Sequence, residues 1–419
     1  MRASLAEIAE VWWIRLDRSP LRVLRWGTAW LFLGAAMLLL TPLAIVGRLA
    51  GFRFLGINCS RIGHLAVEPD CFVKERRFGM HKGIRPLALA PAGRVANRAL
   101  LDCWRVHLRW ITRPWVCAAL RPLAWHPLLA FDVSAYSMVA GPQGGCGYIA
   151  IARRWHDDPV ITLPASLVAA GEAALAQFGL PEGAWFACIQ SRDGGYAPQD
   201  EDWHAYRNCA IENYLPAMAE IVAAGGWCIR VGDASTTPLA PMRNVVDYAH
   251  HPLKSDEIDL FLLARCRFFL GSSSGLFLVS AVFGRPVAVA NLTPAEAILP
   301  YGGQDLGIPK LVCRRGQPQP LGLAEMLAHP SSRNRYSAQF EHDGLVVVEN
   351  TAEEIRGLAR EMLARLTGRA EYAEADEAMQ QAVRAMLRPE HIAYGSTSRV
   401  GRDFLRQHRR LLSIGEGEA

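Results

Sequence analysis

Apolar positions in the second half of the chain follow two different periods. Nearly continuous apolar runs such as W-F-A-C-I-Q (185–190) and R-F-F-L-G (267–271) have the length of buried strands. Stretches with helical spacing lie between them, and Ser255 caps one that covers Asp256 to Cys266. Because strands and helices alternate, the pattern predicts a parallel sheet covered by helices on both faces. The predicted strands are 185–190, 227–231, 244–248, 267–271, 285–291, 311–313 and 346–349, and the predicted helices are 214–224 (capped by Asn213), 256–266, 274–283, 323–329, 353–366, 375–387 and 399–412.

The first half of the chain shows the same alternation in a weaker form. F-R-F-L-G-I-N (52–58) and I-R-P-L-A-L-A (84–90) are predicted strands, while 95–110 has helical spacing. Leu167 to Phe178 is a predicted helix that ends at Gly179. The run 181–183, P-E-G, then breaks the pattern as a domain hinge would. We therefore expect four parts, which are a segment 1–51, a domain 52–180, a domain 181–390 and a helical tail 391–419.

An uncharged apolar run covers Trp26 to Gly47. It is long enough to cross about 30 Å of hydrocarbon as a helix, and Trp26 and Trp30 lie where interfacial aromatic side chains belong. Arginines flank both ends and Pro42 lies inside the run, so a single span and a helix–break–helix anchor that returns to the same side both fit. A buried core helix is the alternative. The run predicts that residues 26–47 attach the chain to a membrane.

Composition narrows the class of protein further. In 419 residues, 51% hydrophobic and 20% charged residues exclude a disordered chain, and a mean hydropathy of +0.09 excludes a multi-span transporter. The net charge of +5 suits an anionic substrate or lipid headgroups and is too small to indicate nucleic-acid binding. No two of the ten cysteines form a C-x-x-C pair, so the sequence carries no zinc or thioredoxin motif of that kind. Free thiols in so large a chain favour a reducing compartment.

Ligands of open parallel sheets bind beyond the carboxyl ends of the strands. At one such end, G-S-S-S-G (271–275) joins a strand to a helix, and its small residues would let backbone N–H groups approach a phosphate or diphosphate. The loop is neither a Walker loop nor G-x-G-x-x-G, and a tight turn without a ligand is the alternative.

Arginines stand at the ends of two other predicted strands. Arg192 comes directly after 185–190, and Arg230 lies near the end of 227–231. A guanidinium in an apolar environment needs a partner, which is either a diphosphate bound bidentately or an ion pair with Asp193, Asp233 or Asp247. Arg207 would reach the same phosphates or hold a loop. The candidates for binding a nucleotide diphosphate are Arg192, Tyr196, Arg207, Arg230, Gly232, Asp247, Gly271, Ser272, Ser273, Ser274 and Gly275.

Two further residues are candidates for catalysis. Asp193 acts either as a base or as a group that orients Arg192. His64, in R-I-G-H, would face the acceptor in a two-domain cleft and act as general base, unless its role is structural. The histidines at 204, 250 and 251 lack the spacing of a metal cage, so no metal site is predicted.

These segments resemble a family of bacterial glycosyltransferases of the GT-B type. The likeness covers most of the chain from residue 52 and is loosest in 100–180. A fainter likeness to GDP-fucose-dependent fucosyltransferases rests on Arg192-Asp193, although the doubled arginine and the leading histidine of those enzymes are missing here. The main likeness is carried by R-I-G-H-L-A (61–66), S-R-D-G-G-Y (191–196), Y-R-N (206–208), N-Y-L-P-A (213–217), I-R-V-G (229–232), V-D-Y-A (246–249), F-F-L-G-S-S-S-G (268–275) and P-V-A-V-A-N-L-T-P (286–294).

The resemblance implies an α/β fold of two Rossmann-like domains that face a cleft, here with an N-terminal membrane-associated helical segment. It implies a metal-independent glycosyltransferase that moves a hexosyl or related sugar from a nucleotide-diphosphate donor to a cell-surface glycan or lipid-linked acceptor. The donor is a substrate, and no cofactor and no nucleic acid is expected. With residues 26–47 as anchor, the expected place is the cytoplasmic face of a bacterial inner membrane. A nucleotide-sugar epimerase of the same fold and a non-catalytic subunit of a polysaccharide assembly complex are the alternatives.

Overall fold

Two parallel sheets, with helices packed against them, form the frame of the protein. The structure is a computed structural model, and it describes residues 33–137, 146–156, 158–194, 201–328 and 330–412 together with Thr28 and Leu31. Tyr196 and part of the run 26–47 lie outside the described residues.

The first sheet is built from the residues between 52 and 131. Its strands are β1 (Phe52–Leu55), β2 (Arg85–Leu89), β3 (Arg109–Ile111) and β4 (Ala130–Phe131). They are all parallel and lie in the order β3-β2-β1-β4. The helices of this part are α1 (Thr41–Leu49), α2 (Ile62–Arg77), α3 (Arg98–Trp104) and α4 (Pro114–Ala124), followed by α5 (Cys146–Arg154) and α6 (Ala165–Gln177).

The second sheet has seven parallel strands and takes up the rest of the chain. Its strands are β5 (Phe186–Gln190), β6 (Trp227–Arg230), β7 (Val245–Asp247), β8 (Phe268–Ser272), β9 (Val287–Leu292), β10 (Leu306–Pro309) and β13 (Arg399–Val400). Between β10 and β13 in the chain, β11 (Leu311–Arg314) and β12 (Leu345–Val348) form a separate antiparallel pair. Their order is β13-β10-β9-β8-β5-β6-β7. The helices are α7 (Glu201–His204), α8 (Leu215–Ala223), α9 (Asp256–Arg265), α10 (Leu276–Val282), α11 (Leu323–Ala328), α12 (Ser337–His342), α13 (Ala352–Leu366), α14 (Glu374–Met386) and α15 (Arg402–Gln407).

Both sheets place their third, second, first and fourth strands side by side. This is the strand order of doubly wound α/β sheets, in which the chain reverses its direction of winding between the first and fourth strands. The reversal leaves a crevice at the carboxyl ends of β1 and β4 in the first sheet and of β5 and β8 in the second. The prediction of parallel sheets packed with helices is therefore confirmed.

The two sheets share one hydrophobic core. Leu55 and Trp110 of the first sheet belong to the same buried cluster as Phe186 and Phe269 of the second. Helix α6 packs so closely against α9 that a Cβ atom on Gly171 would lie 2.0 Å from the Phe261 ring. The predicted hinge at 181–183 thus connects two parts that are in extensive contact.

Some predicted elements differ from the observed ones. The stretch 95–110 contains α3, which Asn97 caps by accepting from the N–H of Leu100, and then the separate strand β3. No glycine or proline lies between these two elements, so the sequence offers no signal for the end of the helix. The predicted tail helix 399–412 begins only at Arg402, because 399–400 pair with β10 as the edge strand β13.

Two further details also differ from expectation. Asn213 does not cap α8, because a short 3-10 turn over Ile211–Tyr214 comes first and Tyr214 is the N-cap residue. The predicted strand 311–313 lies in the antiparallel pair rather than in the parallel sheet.

The apolar run at 26–47 is described in part. Residues 33–39 are helical, and Pro42 lies in the first turn of α1, a position that tolerates proline because the first N–H groups of a helix have no partner within it. Ala44 of α1 is fully buried against Phe54, Leu123 and Leu129. Within the described residues, no helix combines the length and apolar character needed to cross a bilayer. Attachment to a membrane remains a prediction.

Candidate functional site

Strands β8, β5 and β6 are neighbours in the second sheet, which confirms the predicted adjacency of 185–190, 227–231 and 267–271. Gln190 lies beside Gly271, and Ile189 lies beside Arg230. The carboxyl ends of these strands therefore open at one edge, where the winding of the sheet reverses.

The loop 271–275 is held in place by the end of β5. Gln190 Oε1 accepts hydrogen bonds from the hydroxyl groups of Ser274, at 2.9 Å, and Ser272, at 3.3 Å. Ser272 Oγ in turn accepts from the backbone N–H of Arg192 at 3.0 Å. Gly271 is buried within β8, where a Cβ atom would lie 2.7 Å from Gln190 O. These hydrogen bonds attach the loop to the end of β5, where it forms one rim of the crevice.

Two arginines lie at this rim, Arg192 bound through its backbone N–H and Arg207 through its side chain. Arg192 Nη1 donates to the backbone oxygen of His204, at 3.1 Å, and to Oδ1 of Asn208. Arg207 Nη2 donates to the backbone oxygen of Ser273 at 2.6 Å. Burial lowers the pKa of the Arg207 guanidinium. The structure therefore brings the predicted residues Arg192 and Arg207 to the loop 271–275.

Lys310 is a third cation at the same edge, directly after β10. It is 5% exposed, and its ammonium group donates to the backbone oxygen of Asn208, the residue whose side chain contacts Arg192. Burial lowers the pKa of Lys310, and the charges of Arg192 and Arg207 lower it as well, whereas Cys209 and Glu349 raise it. Within the described part of the chain, neither Arg207 nor Lys310 forms an ion pair with a carboxylate.

Two more arginines surround Arg207. The charges of Arg61 and Arg335 lower the pKa of Arg207, although less than burial does, while Tyr206 raises it. Arg335 pairs with Glu296 at 2.6 Å. Cations that repel one another at the end of a parallel sheet are stabilised when an anion binds between them.

Helix α2 of the first sheet rests directly on the loop of the second. A Cβ atom on Gly63 would lie 2.9 Å from Gly275 Cα, and one on Gly275 would lie 2.8 Å from Gly63 N. Both glycines are needed for this approach, because any side chain would separate the two backbones. The contact places His64, the next residue of α2, beside the loop 271–275.

His64 is oriented by a carboxylate. Its Nδ1 lies 2.6 Å from Oε1 of Glu68, which is 3% exposed and accepts from the backbone N–H of Asn58 at 3.1 Å through its other oxygen. Ser137 Oγ lies 3.3 Å from the same ring nitrogen. Because a carboxylate only accepts, the proton is on Nδ1, and Nε2 is the nitrogen able to take up a proton.

Arg230, Asp247 and Asp193 belong to a second cluster, at the end of β6 and around Thr237. Arg230 is 1% exposed and donates to Oδ1 of Asp247 at 3.0 Å and to the backbone oxygen of Thr237 at 3.1 Å. Of the two partners considered for Arg230, a diphosphate or a carboxylate, the structure therefore shows the carboxylate of Asp247. Asp193 Oδ2 accepts from the N–H of Thr237 at 3.0 Å, which ties it to the same neighbourhood. Gly232, with φ +154°, follows β6 after one residue.

Sequence reasoning missed four residues of this arrangement. Glu68 follows His64 at the i+4 spacing that places both on one helix face, so a signal was present. Lys310 follows β10, which had not been predicted as a strand. Arg61 and Arg335 reach Arg207 only through tertiary contacts. Among the described residues, no group of three His, Cys, Asp or Glu side chains is placed to hold a metal ion.

Comparisons with known proteins give matches among solved structures only. No protein-family model and no curated protein sequence matches the chain. The chain is similar to the dodecameric iron-containing heptosyltransferase TibC in complex with ADP-D-beta-D-heptose, with 14% identity over 76% of this chain and 77% of that chain and a TM-score of 0.40. It is also similar to E. coli ADP-heptose LPS heptosyltransferase II, with 14% identity over 58% and 86% of the two chains and a TM-score of 0.37. A third similar structure is E. coli heptosyltransferase WaaC with ADP-2-deoxy-2-fluoro heptose, with 14% identity over 63% and 93% and a TM-score of 0.33.

Proposed function

We propose that the protein is a GT-B glycosyltransferase that moves a sugar from a nucleotide-diphosphate donor to a glycan or lipid-linked acceptor of the cell envelope. The observation that carries the proposal is the cation group of Arg192, Arg207 and Lys310 at the crevice of the second sheet. It lies beside a histidine–carboxylate pair from the first sheet, across the Gly63–Gly275 contact.

The second sheet would hold the donor. The diphosphate of a nucleotide sugar carries negative charge, which grows on the leaving oxygen as the bond to the anomeric carbon breaks. Arg207 and Lys310 are oriented by backbone oxygens of the protein, so they need little rearrangement to stabilise this charge. Arg192, fixed by Asn208 and His204, would add a third positive charge.

The first sheet would present the acceptor. Nε2 of His64 would take the proton of an acceptor hydroxyl group while the acceptor oxygen replaces the diphosphate at the anomeric carbon. The Glu68 carboxylate would hold the ring and stabilise the imidazolium that forms. Asp193, which lies beside Thr237, is a weaker candidate for this role than His64.

Membrane attachment through residues 26–47 and a position at the cytoplasmic face of a bacterial inner membrane belong to the same proposal. A lipid-linked acceptor would then be delivered to the chain from the bilayer. The nine described cysteines are buried and unpaired, which suits a reducing compartment.

The test is binding of nucleotides to the full chain. A thermal-shift screen of ADP, GDP, UDP, CMP and dTDP identifies the base, and calorimetry then measures affinity for the wild type, Arg192→Ala and Arg192→Lys. Loss of one charge-assisted hydrogen bond, about 1.5–3 kcal/mol, should weaken binding roughly ten- to hundredfold in Arg192→Ala. Arg192→Lys should recover only part of the affinity. If none of the five nucleotides stabilised the protein, the proposal would be contradicted. The nucleotide sugar with the selected base is then incubated with the protein, and an epimerised donor without transfer of the sugar would favour the epimerase.

A further inference from the structure

Helices α1 and α4 cover one face of the first sheet as an outer layer. Phe54 and Ile111 of the sheet pack with Ala44 of α1 and with Leu123 of α4 in a small buried cluster. The opposite face of the same sheet belongs to the main core. The sides of α1 and α4 that point away from the sheet are therefore on the outside of the molecule.

The packing of α1 is the reverse of that expected for a helix of a water-exposed surface. Small residues face the sheet, since Ala44 is buried and a Cβ atom on Gly47 would lie 3.3 Å from Leu129. The large apolar side chains face outward instead. Those that are between 46% and 82% exposed in this layer are Leu38 and Leu39 before α1, Leu43, Ile45, Val46 and Leu49 on α1, Trp115 on α4, and Trp125 at the end of α4. A set of this size marks an interaction surface.

The charges around this surface have one sign. The sequence contains no Asp or Glu in 18–67 or in 103–131. Exposed arginines stand in both stretches, and Arg105 among them pairs with Asp102 at 2.6 Å. Four others form no ion pair within the described part of the chain, and they are Arg48, Arg109, Arg113 and Arg121.

We propose that this outer layer docks on the surface of a bilayer that contains anionic phospholipids. The leucines of α1 and the Trp115 ring would lie at the boundary between headgroups and acyl chains, while the arginines would contact lipid phosphates. A second copy of this chain is the poorer occupant, because it would bring the same arginines face to face without a carboxylate between them. The two helices would lie parallel to the membrane, so docking involves α4 as well as the run 26–47.

The decisive measurement is contact of Trp115 with lipid. The full chain is mixed with vesicles of equal parts phosphatidylglycerol and phosphatidylcholine, with and without bromine-substituted acyl chains. In each protein, the bromine atoms quench the fluorescence of those tryptophans that contact lipid. The quenching due to Trp115 is the quenching measured in the wild type minus that measured in Trp115→Phe. We expect this difference to be clear on anionic vesicles, and its absence would overturn the proposal even if the chain stays bound through another segment.

Charge provides a second measurement. Each cationic residue near an anionic surface contributes about 1 kcal/mol, so Arg113→Glu/Arg121→Glu should weaken vesicle binding at least roughly tenfold, and added salt should reduce the difference. Val346→Ser, at an exposed position of β12, is the matched control and should bind as the wild type does. Unchanged vesicle binding of the double variant would overturn docking on lipid. A wild-type protein that is a dimer and a double variant that is a monomer would overturn it as well, because the surface would then belong to a second copy of the chain. Nucleotide affinity should not change in either variant, so failure here is distinguishable from failure of the proposed reaction.

Discussion

Replacement of Arg207 by methionine should separate the binding of an anion from the stability of the fold. In the free protein, Arg207 loses solvation through burial, is repelled by Arg61 and Arg335, and gains one hydrogen bond to Ser273 O. Because these contributions oppose each other, we expect the free energy of unfolding to change by no more than about 1 kcal/mol. With nucleotide bound, the same substitution removes a charge-assisted contact, and affinity should fall roughly ten- to hundredfold.

Arg230→Met provides the contrast. Its buried guanidinium donates to Asp247 Oδ1 and to Thr237 O, and the substitution removes both bonds, although Asp247 Oδ2 keeps its contacts with Leu239 N–H and His250. Because a buried ion pair is broken, the free energy of unfolding should fall by about 3 kcal/mol. Urea unfolding of the ligand-free proteins and calorimetry with the selected nucleotide give the two quantities. Arg243→Met, at an exposed position, is the control. If Arg207→Met destabilised the protein as strongly as Arg230→Met and left affinity unchanged, the anion site would not include Arg207.

Three further changes test other parts of the structure. In Glu68→Gln, the new amide group can donate to Nδ1 of His64, which favours the tautomer with the proton on Nε2. Because Nε2 could then no longer accept a proton, kcat should fall by about 10²–10⁴ while the KM for the donor stays unchanged. An unaltered kcat would exclude the proton-transfer role of His64. Gly171→Ala forces a methyl group into the Phe261 ring and should cost about 1–3 kcal/mol in urea unfolding, whereas Gly93→Ala, which meets open space, should be neutral. Burial raises the pKa of Asp305 from its ordinary 3.8 to about 6, although hydrogen bonds from the N–H groups of Val287, Gly302 and Tyr301 lower this pKa. Its stabilising contribution is therefore complete below about pH 4 and is lost as pH rises through 6, a fall of roughly 3 kcal/mol that Asp305→Asn should abolish in unfolding curves measured across this range.

The alternation of apolar runs with helical stretches was sufficient to predict the parallel sheet and most elements of the second half, whereas of the strands in the first half it predicted only those that became β1 and β2. This works because the period of apolar positions is a local property of each segment. It was insufficient at 95–110, where helix α3 passes into strand β3 without a stop signal. The edge strand β13 is too short to show a period at all.

The candidate site divides in the same way. From the sequence came the strand-end loop 271–275, the nearby Arg192 and Arg207, and His64. The tertiary structure decided that Arg230 pairs with Asp247 whereas Arg207 and Lys310 are oriented by backbone oxygens. A strand-end arginine has the same local sequence whether its partner is a carboxylate or a ligand, since that partner comes from another strand.

The contact between helix α2 of the first sheet and the loop 271–275 of the second could not be predicted from the sequence either. Gly63 and Gly275 look like ordinary small residues in their own segments, and only the fold shows that each leaves room for the backbone of the other. The large outward side chains of α1 were recognised as an apolar run, but which of them face the sheet depends on the neighbours Phe54 and Leu129. Local periodicity determined the elements of this protein, whereas contacts between residues far apart in the chain determined which side chains remain available for a ligand or a bilayer.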